Sequence, residues 1–565
     1  MARRRKVKPH MRLLLREYVG MLRERGELDV LLPELMLSMG LQPLSKPQQG
    51  VRQYGVDAAA VGPDENDGNI TKLFLLTIKA GNIDRADWDG SLQAVRPSLL
   101  DILMVYVPSH IEQEYRSLPI KIILCCGGDL NQNVQLDWAQ LTRNYSKPGL
   151  EFHRWTGDDL SDLIERHMLN EHLFDENQRK LLRKALALVD ENEYDLKEYI
   201  ALISSQLEHL SNRPRGLSSV KCLRNINLIL SIVFHWAAEG GNLRQGYLAG
   251  ERTVLSCWNA LSRNSLSSNR TIMEEFLKIH ENFGVIVDAY HEKLKPHCQI
   301  RDALCGYGAD EVEYPLRTFE AIGLLAVCGL SHVYLPVGHR QSFYQEDARL
   351  VADSLINLIR NNPAALSPSM DGHAIDVGLG LLLLLHVGMH EEAAWWIDEL
   401  VSRMLFAFRR GLYFPISSDN VDDLIDIAAG VEGARVGLAE LSTLLPMLAE
   451  FCAVLNLEET YGRITDGCKE VLAKTTLQLW YPDTATEAVL FDGDAGFKSG
   501  SSYAPIVLPK DIASLGARMK GLVRVLCNPE DMAFFEHGLS VYGLIASRHF
   551  RTPLMPYYWQ VIREN

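Results

Sequence analysis

A chain of 565 residues exceeds what one hydrophobic core supports, since cores stop growing at roughly 250–300 residues, so two or three domains are expected. With 47% hydrophobic and 23% charged residues the composition is that of an ordinary folded protein, which excludes both disorder and a fibrous repeat. The net charge of −15 is uneven: residues 1–174 carry 21 Lys plus Arg against 23 Asp plus Glu, and the remainder 36 against 49, so a polyanion is repelled by the second part and tolerated only by the first.

A basic start (Arg3, Arg4, Arg5, Lys6, Lys8) leads into an amphipathic helical pattern over His10 to Arg25, with Leu13, Leu14, Val19, Met21 and Leu22 at helical spacing. A second helix, Leu28 to Met39, stops at Gly40. Tyr54 to Val61 and Leu73 to Ala80 are β-like runs joined by the turn-rich segment Gly62 to Thr71, the signature of a hairpin with a long loop. Trp88 to Val107 reads as helix with a break at Pro97, Ile120 to Cys126 as a fully buried strand, Val134 to Arg143 as helix and Leu150 to Trp155 as a short strand. Gly157 to Met168 closes the unit as a helix with Asp158 and Asp159 in its first turn, where they suit the helix dipole. This order predicts an α/β domain, a mixed sheet between helical layers.

Beyond Asp175 helical patterns dominate: Glu198 to Leu210, Cys222 to Ala238, Arg317 to Cys328, Glu346 to Arg360, Ile375 to Leu385, Glu391 to Phe408 and Ala434 to Leu455. The close succession of helices around Gly388 resembles the helix–turn–helix units of solenoids, without a fixed period. Breaks at Arg213 to Gly216, His297 to Pro315 and Asn361 to Gly372 are candidate hinges. Trp480 to Pro509 suggests a small β-insert, with strand character in Glu487 to Phe491 and Tyr503 to Leu508. The expected division is an α/β domain over 1–172, an α-helical, solenoid-like array over 173–475 and a C-terminal helical subdomain over 476–565.

The start lacks the apolar run of a secretory leader, and the longest apolar run, Val377 to Met389, falls short of the ~20 residues that cross a bilayer. Ten cysteines without a CxxC pair read as buried thiols, so a cytoplasmic protein with no membrane partner is expected. His297, Cys298 and Cys305 form one local group of metal-ligating types but lack the paired spacing of a zinc site. No GxxxxGK[ST] loop, HExxH helix or Gly-x-Ser-x-Gly elbow occurs. Tyr557, Tyr558 and Trp559 could offer a stacking surface, although core packing of a terminal helix explains them better.

Three elements carry candidate chemistry: Glu34 in Pro33-Glu34-Leu35-Met36-Leu37, Asp57 in Tyr54-Gly55-Val56-Asp57, and Lys79 in Thr77-Ile78-Lys79-Ala80-Gly81. Their order, helical acid, Gly-hydrophobic-Asp strand, then strand ending in Lys, resembles the PD-(D/E)XK, or restriction-endonuclease-like, superfamily and its Mrr-type branch of bacterial restriction and phage-defence proteins. The resemblance covers about 160 residues, through the Phe152-His153-Arg154-Trp155 strand and the helix after it. It implies a nuclease in which Asp57 and Glu34 bind Mg²⁺ or Mn²⁺ while Lys79 orients water or neutralises developing charge. Physically, phosphodiester hydrolysis needs a hard cation on oxygen ligands, an activated water and charge stabilisation.

The family places an acid or glutamine two residues before the lysine; here that residue is Thr77, a poor Mg²⁺ ligand, for which Gln93, Asp84, Asp64 or a backbone carbonyl would have to compensate. Each residue also has a plainer reading. Glu34 could be a solvated helix acid and Gln93 an exposed helix glutamine, while helix capping by Asp87 or Asp89 accounts for the aspartates around Trp88. Asp57 in a strand needs a partner, and Lys79 on an apolar strand needs a carboxylate. The resulting expectation is a Mg²⁺-dependent DNA endonuclease of anti-phage defence, homo-oligomeric, with the helical part sensing a trigger or docking a separate ATPase or sensor protein. The alternatives are a nuclease-fold scaffold that has lost activity, whose helical array binds a partner, and RNA as the substrate.

Overall fold

The computed structural model describes residues 9–45, 54–168, 175–191, 194–212, 216–306, 311–334, 341–412, 414–434, 437–482, 486–491, 501–503, 505–525 and 532–553. Tyr557, Tyr558, Trp559 and the basic start lie outside them. Two compact units emerge: Met1–Ala249 with Ser268–Ile279, and Gly250–Ser267 with His280–Asn565. A boundary near residue 172 does not separate them, because helices after it belong to the first unit: Arg224 and Lys278 both pair with Glu34.

The first unit opens with α1 (Pro9–Met21), a kinked turn at Glu24–Leu28, and α2 (Asp29–Ser38). Five strands follow, β1 (Gln42–Ser45), β2 (Ala58–Asp64), β3 (Ile70–Lys79), β4 (Ile120–Cys126) and β5 (Leu150–Trp155), in the spatial order of their numbers. β1, β2 and β3 pair antiparallel, and β3, β4 and β5 parallel, so the sheet is mixed as expected. The hairpin is tighter than the sequence suggests, turning at 65–69. β4 is buried at every position, Cys125 and Cys126 included, as a strand covered on both faces must be.

Between β3 and β4 run α3 (Arg85–Asp89) and α4 (Val95–Asp101), the latter continuing through a wide turn into α5 (Val107–Ser109). The expected break at Pro97 does not occur. Proline is accommodated in the first turn of α4, where its missing N–H costs nothing, and the interruption falls at 90–94. α6 (Gln132–Tyr145) and α7 (Gly157–His167) complete the α/β part. Ala59, Leu73, Leu75, Ile122, Leu124, Trp88 and Trp138 share one core on one side of the sheet. Four further helices, α8 (Glu176–Leu188), α9 (Lys197–Asn212), α10 (Gly216–Glu239) and the beginning of α11 (Leu243–Arg263), belong to this unit, with the first part of α12 (Arg270–Cys298).

The second unit is mostly helical. α13 (Glu313–Val333) packs against α14 (Gln341–Asn361) and α15 (Ala374–His386), followed by α16 (His390–Arg409), α17 (Val421–Ala428), α18 (Leu444–Leu455) and α19 (Glu458–Glu470). Among the described residues α13 alone has the length and apolar composition to cross a membrane, and most of it is buried in this unit. The helix expected over Ala434 to Leu455 is shorter: Gly437 takes φ +74° and β6 (Leu441–Ser442) pairs with β7 (Thr476–Leu477) before α18 starts. A two-stranded insert does form, but from β8 (Leu479–Tyr481) and β9 (Ser501–Tyr503), whereas α20 (Thr486–Leu490) is a helix where Glu487 to Phe491 reads as strand. α21 (Ile512–Val525), α22 (Ala533–Glu536) and α23 (Val541–His549) end the described chain.

Candidate active site

Asp57 is positioned by its own chain entry. Tyr54 and Gly55 both take left-handed φ, and a Cβ on Gly55 would lie 2.1 Å from the Ser98 carbonyl oxygen of α4, so only glycine fits. Val56 then enters the core, and the Asp57 N–H donates to Leu76 O at 2.8 Å. This fixes the side chain beside β3, where its Oδ2 accepts from Ile78 N at 2.7 Å and Thr77 Oγ at 3.3 Å. Burial raises the Asp57 pKa above the ordinary carboxylate range; the Ile78 N–H and the Lys79 charge oppose that rise, and the charge of Glu24 adds to it.

Lys79 is the last residue of β3, two positions beyond Thr77 and so on the same face. Its Nζ donates to both oxygens of Glu24, at 3.2 and 3.3 Å. Lys79 is thus the strand lysine that needs a carboxylate, and the carboxylate is Glu24. Glu24 reaches it from the kinked turn: Arg25 is extended and Gly26 takes φ +80°, which breaks the helical pattern and turns the chain between α1 and α2.

Glu34 does not join this group through any described contact. It lies about 200° around α2 from buried Leu32 and Met36. There it meets Lys278 Nζ at 2.5 Å and Arg224 Nε at 3.2 Å, and both cations also bind Glu275. The carboxylate beside Lys79 is therefore Glu24, on the kinked turn, and not Glu34.

The residues that were to compensate for Thr77 lie elsewhere. Gln93 is exposed in the turn before α4 rather than on a helix. Asp84 caps α3, with Asp87 closing the reciprocal bond. Asp64 sits at the other end of the hairpin, buried with Lys72 Nζ at 3.0 Å and Lys121 Nζ at 2.7 Å. Thr77 itself is 1% exposed and spends its hydroxyl on Asp57. Of the group around His297, Cys298 is buried with its thiol directed to Leu294 O, an ordinary core environment.

The assembled set is two carboxylates, one half-buried and one partly exposed, around one ammonium. That leaves net negative charge on hard oxygen donors, which suits a divalent cation of the Mg²⁺ or Mn²⁺ type. It lies at the carboxyl end of β3, where open α/β sheets commonly hold ligands. Compared with known proteins, the chain matches no family model, no curated protein and no solved structure.

Proposed function

We propose that the chain is a metal-dependent DNA endonuclease with a restriction-endonuclease-like first unit, acting in bacterial anti-phage defence under control of a solenoid-like helical region. The observation that carries the reading is the meeting of Asp57, Glu24 and Lys79 at the end of the β2–β3 hairpin. A Mg²⁺ or Mn²⁺ ion held by Asp57 and Glu24 would supply Lewis acidity toward a phosphate oxygen. Lys79 orients the attacking water or offsets charge on the phosphorus, and the Ile78 N–H and Thr77 hydroxyl hold the Asp57 carboxylate in one rotamer. Acidity confined largely to residues beyond 174 supports DNA engagement by the first unit and a sensing, oligomerising or ATPase-docking role for the helices.

One observation favours a second reading, a scaffold of nuclease fold. Thr77 contributes no carboxylate where the resembled family has an acid or glutamine, so ion affinity is reduced. Both readings are tested by incubating the full chain with plasmid and linear DNA, and with labelled RNA, in Mg²⁺ or Mn²⁺, beside Asp57→Ala and Lys79→Ala. Cleavage lost in both variants supports the nuclease; cleavage retained in both sinks the site, and no cleavage of any substrate supports the scaffold.

A further inference from the structure

Within the second unit, Cys328 and His332 are four residues apart on α13 and therefore share a face of that helix, which Asp288 meets from α12. The Cys328 sulfur, one His332 ring nitrogen and one Asp288 carboxylate oxygen all lie within 4.8 Å of one another. His332 Nε2 is 3.0 Å from Asp288 Oδ1, and Cys328 is fully buried at the base of the group, His332 mostly buried and Asp288 exposed. No other trio of His, Cys, Asp or Glu donors among the described residues converges in this way.

We propose that Asp288, Cys328 and His332 form a binding site for a borderline transition-metal ion of the Zn²⁺ type, with water as the fourth ligand. The donor types decide the class. Sulfur and imidazole nitrogen beside one carboxylate favour zinc or cobalt over Mg²⁺ or Ca²⁺, which take oxygen. Bonds of about 2.0–2.3 Å place tetrahedral donors roughly 3.3–3.8 Å apart, so closing the group around an ion asks for movements of about 1 Å at the ends of side chains. The bound ion would join α12 to α13 at a point where His332 meets Asp288 and the Cys328 thiol donates to Val287 O at 3.8 Å, and three protein ligands with one further position fit either a structural ion or one that keeps a water. This inference is independent of the nuclease reading, since it concerns the other unit and a different ion.

The test uses the untagged full chain, stripped with chelator and titrated with Co²⁺. The expected result is a sulfur-to-cobalt charge-transfer absorption that saturates with one equivalent at this site, with the strong visible bands of four-coordinate cobalt, both bleached by Zn²⁺. Cys328→Ser should lose the charge-transfer absorption. Asp288→Asn, at an exposed position, and His332→Gln should each weaken Co²⁺ binding at least tenfold with an unchanged circular dichroism spectrum. A folded wild-type chain with no charge-transfer absorption overturns the proposal, as does an absorption that persists in Cys328→Ser or Co²⁺ affinity indifferent to the other two substitutions.

Discussion

Thr77 and Asp57 face each other across the β2–β3 hairpin, the threonine hydroxyl donating to Asp57 Oδ2 at 3.3 Å on the oxygen that also receives the Ile78 N–H. Removing that donor leaves the half-buried carboxylate with less support. Thr77→Val should cost about 1 kcal/mol of stability at neutral pH and raise the Asp57 pKa further, moving any metal-dependent cleavage profile toward alkaline pH. Thr77→Glu does the opposite to the ion. A third carboxylate should lower the melting temperature of the ion-free protein, through repulsion with Asp57, and restore it on adding Mg²⁺ with at least tenfold higher affinity. Melting curves with and without Mg²⁺ check both.

The two acids should separate by cleavage. Glu24→Gln removes the partner of Lys79, which is mostly buried, and one proposed ion ligand, so cleavage should fall by about 100-fold or more together with a stability loss on the order of 1–3 kcal/mol. Glu34→Gln should leave cleavage unchanged but destabilise the first unit by roughly 1–3 kcal/mol, because Arg224, largely buried, loses a partner. Cleavage rate distinguishes them, while the denaturant midpoint checks that both variants stay folded; cleavage lost in Glu34→Gln and kept in Glu24→Gln would restore Glu34 to the site.

Stability of the second unit should depend on pH through Asp371. This carboxylate is buried, accepts from Ser442 Oγ at 2.8 Å and from the Thr443 and Leu444 N–H groups at 2.6 and 3.2 Å, and burial pushes its pKa up to about 6. A folded pKa above the unfolded value of about 3.9 means that protonation stabilises the fold. That contribution, on the order of 2–3 kcal/mol, is full below about pH 4 and lost as pH rises through about 6. Wild type should therefore gain melting temperature relative to Asp371→Asn as pH falls from 7.5 to 5. A difference between the two that is flat over this range refutes the assignment.

What was legible in the sequence followed from apolar pattern. β4 and β5 appear where a buried run and a short alternating one place them, and most long helices appear with ends shifted by a few residues. β1 was illegible because Gln42-Pro43-Leu44-Ser45 has no strand signal of its own; pairing with β2 makes it a strand, with an irregular register at Pro43–Ser45. At the site, Asp57 and Lys79 stand out as charges among apolar strand residues. Glu24 does not, since Arg23-Glu24-Arg25-Gly26-Glu27 reads as the charged end of a helix, and its approach to Lys79 depends on the left-handed conformation of Gly26. A glycine breaking a helical pattern beside an acid was the available signal, and Pro33-Glu34, on a better-formed helix, masked it.

Gly55 offers a test of how the site is held that needs no assay of cleavage. Alanine there meets two penalties: a left-handed φ of +82° and a Cβ 2.1 Å from the backbone oxygen of Ser98, which has no flexible end to move aside. Left-handed strain alone costs about 1–2 kcal/mol, and overpacking typically adds 1–3. Gly68, in the turn of the same hairpin, has φ +61° and open space around its Cβ position, so Gly68→Ala carries the first penalty without the second. Gly55→Ala should accordingly lose at least 1 kcal/mol more than Gly68→Ala by denaturant unfolding. Because the segment it displaces ends at Asp57, hydrogen exchange at the Asp57 and Ile78 amides should also accelerate in Gly55→Ala and stay slow in Gly68→Ala. Equal destabilisation by the two substitutions would mean that the approach of Gly55 to α4 does not position the aspartate.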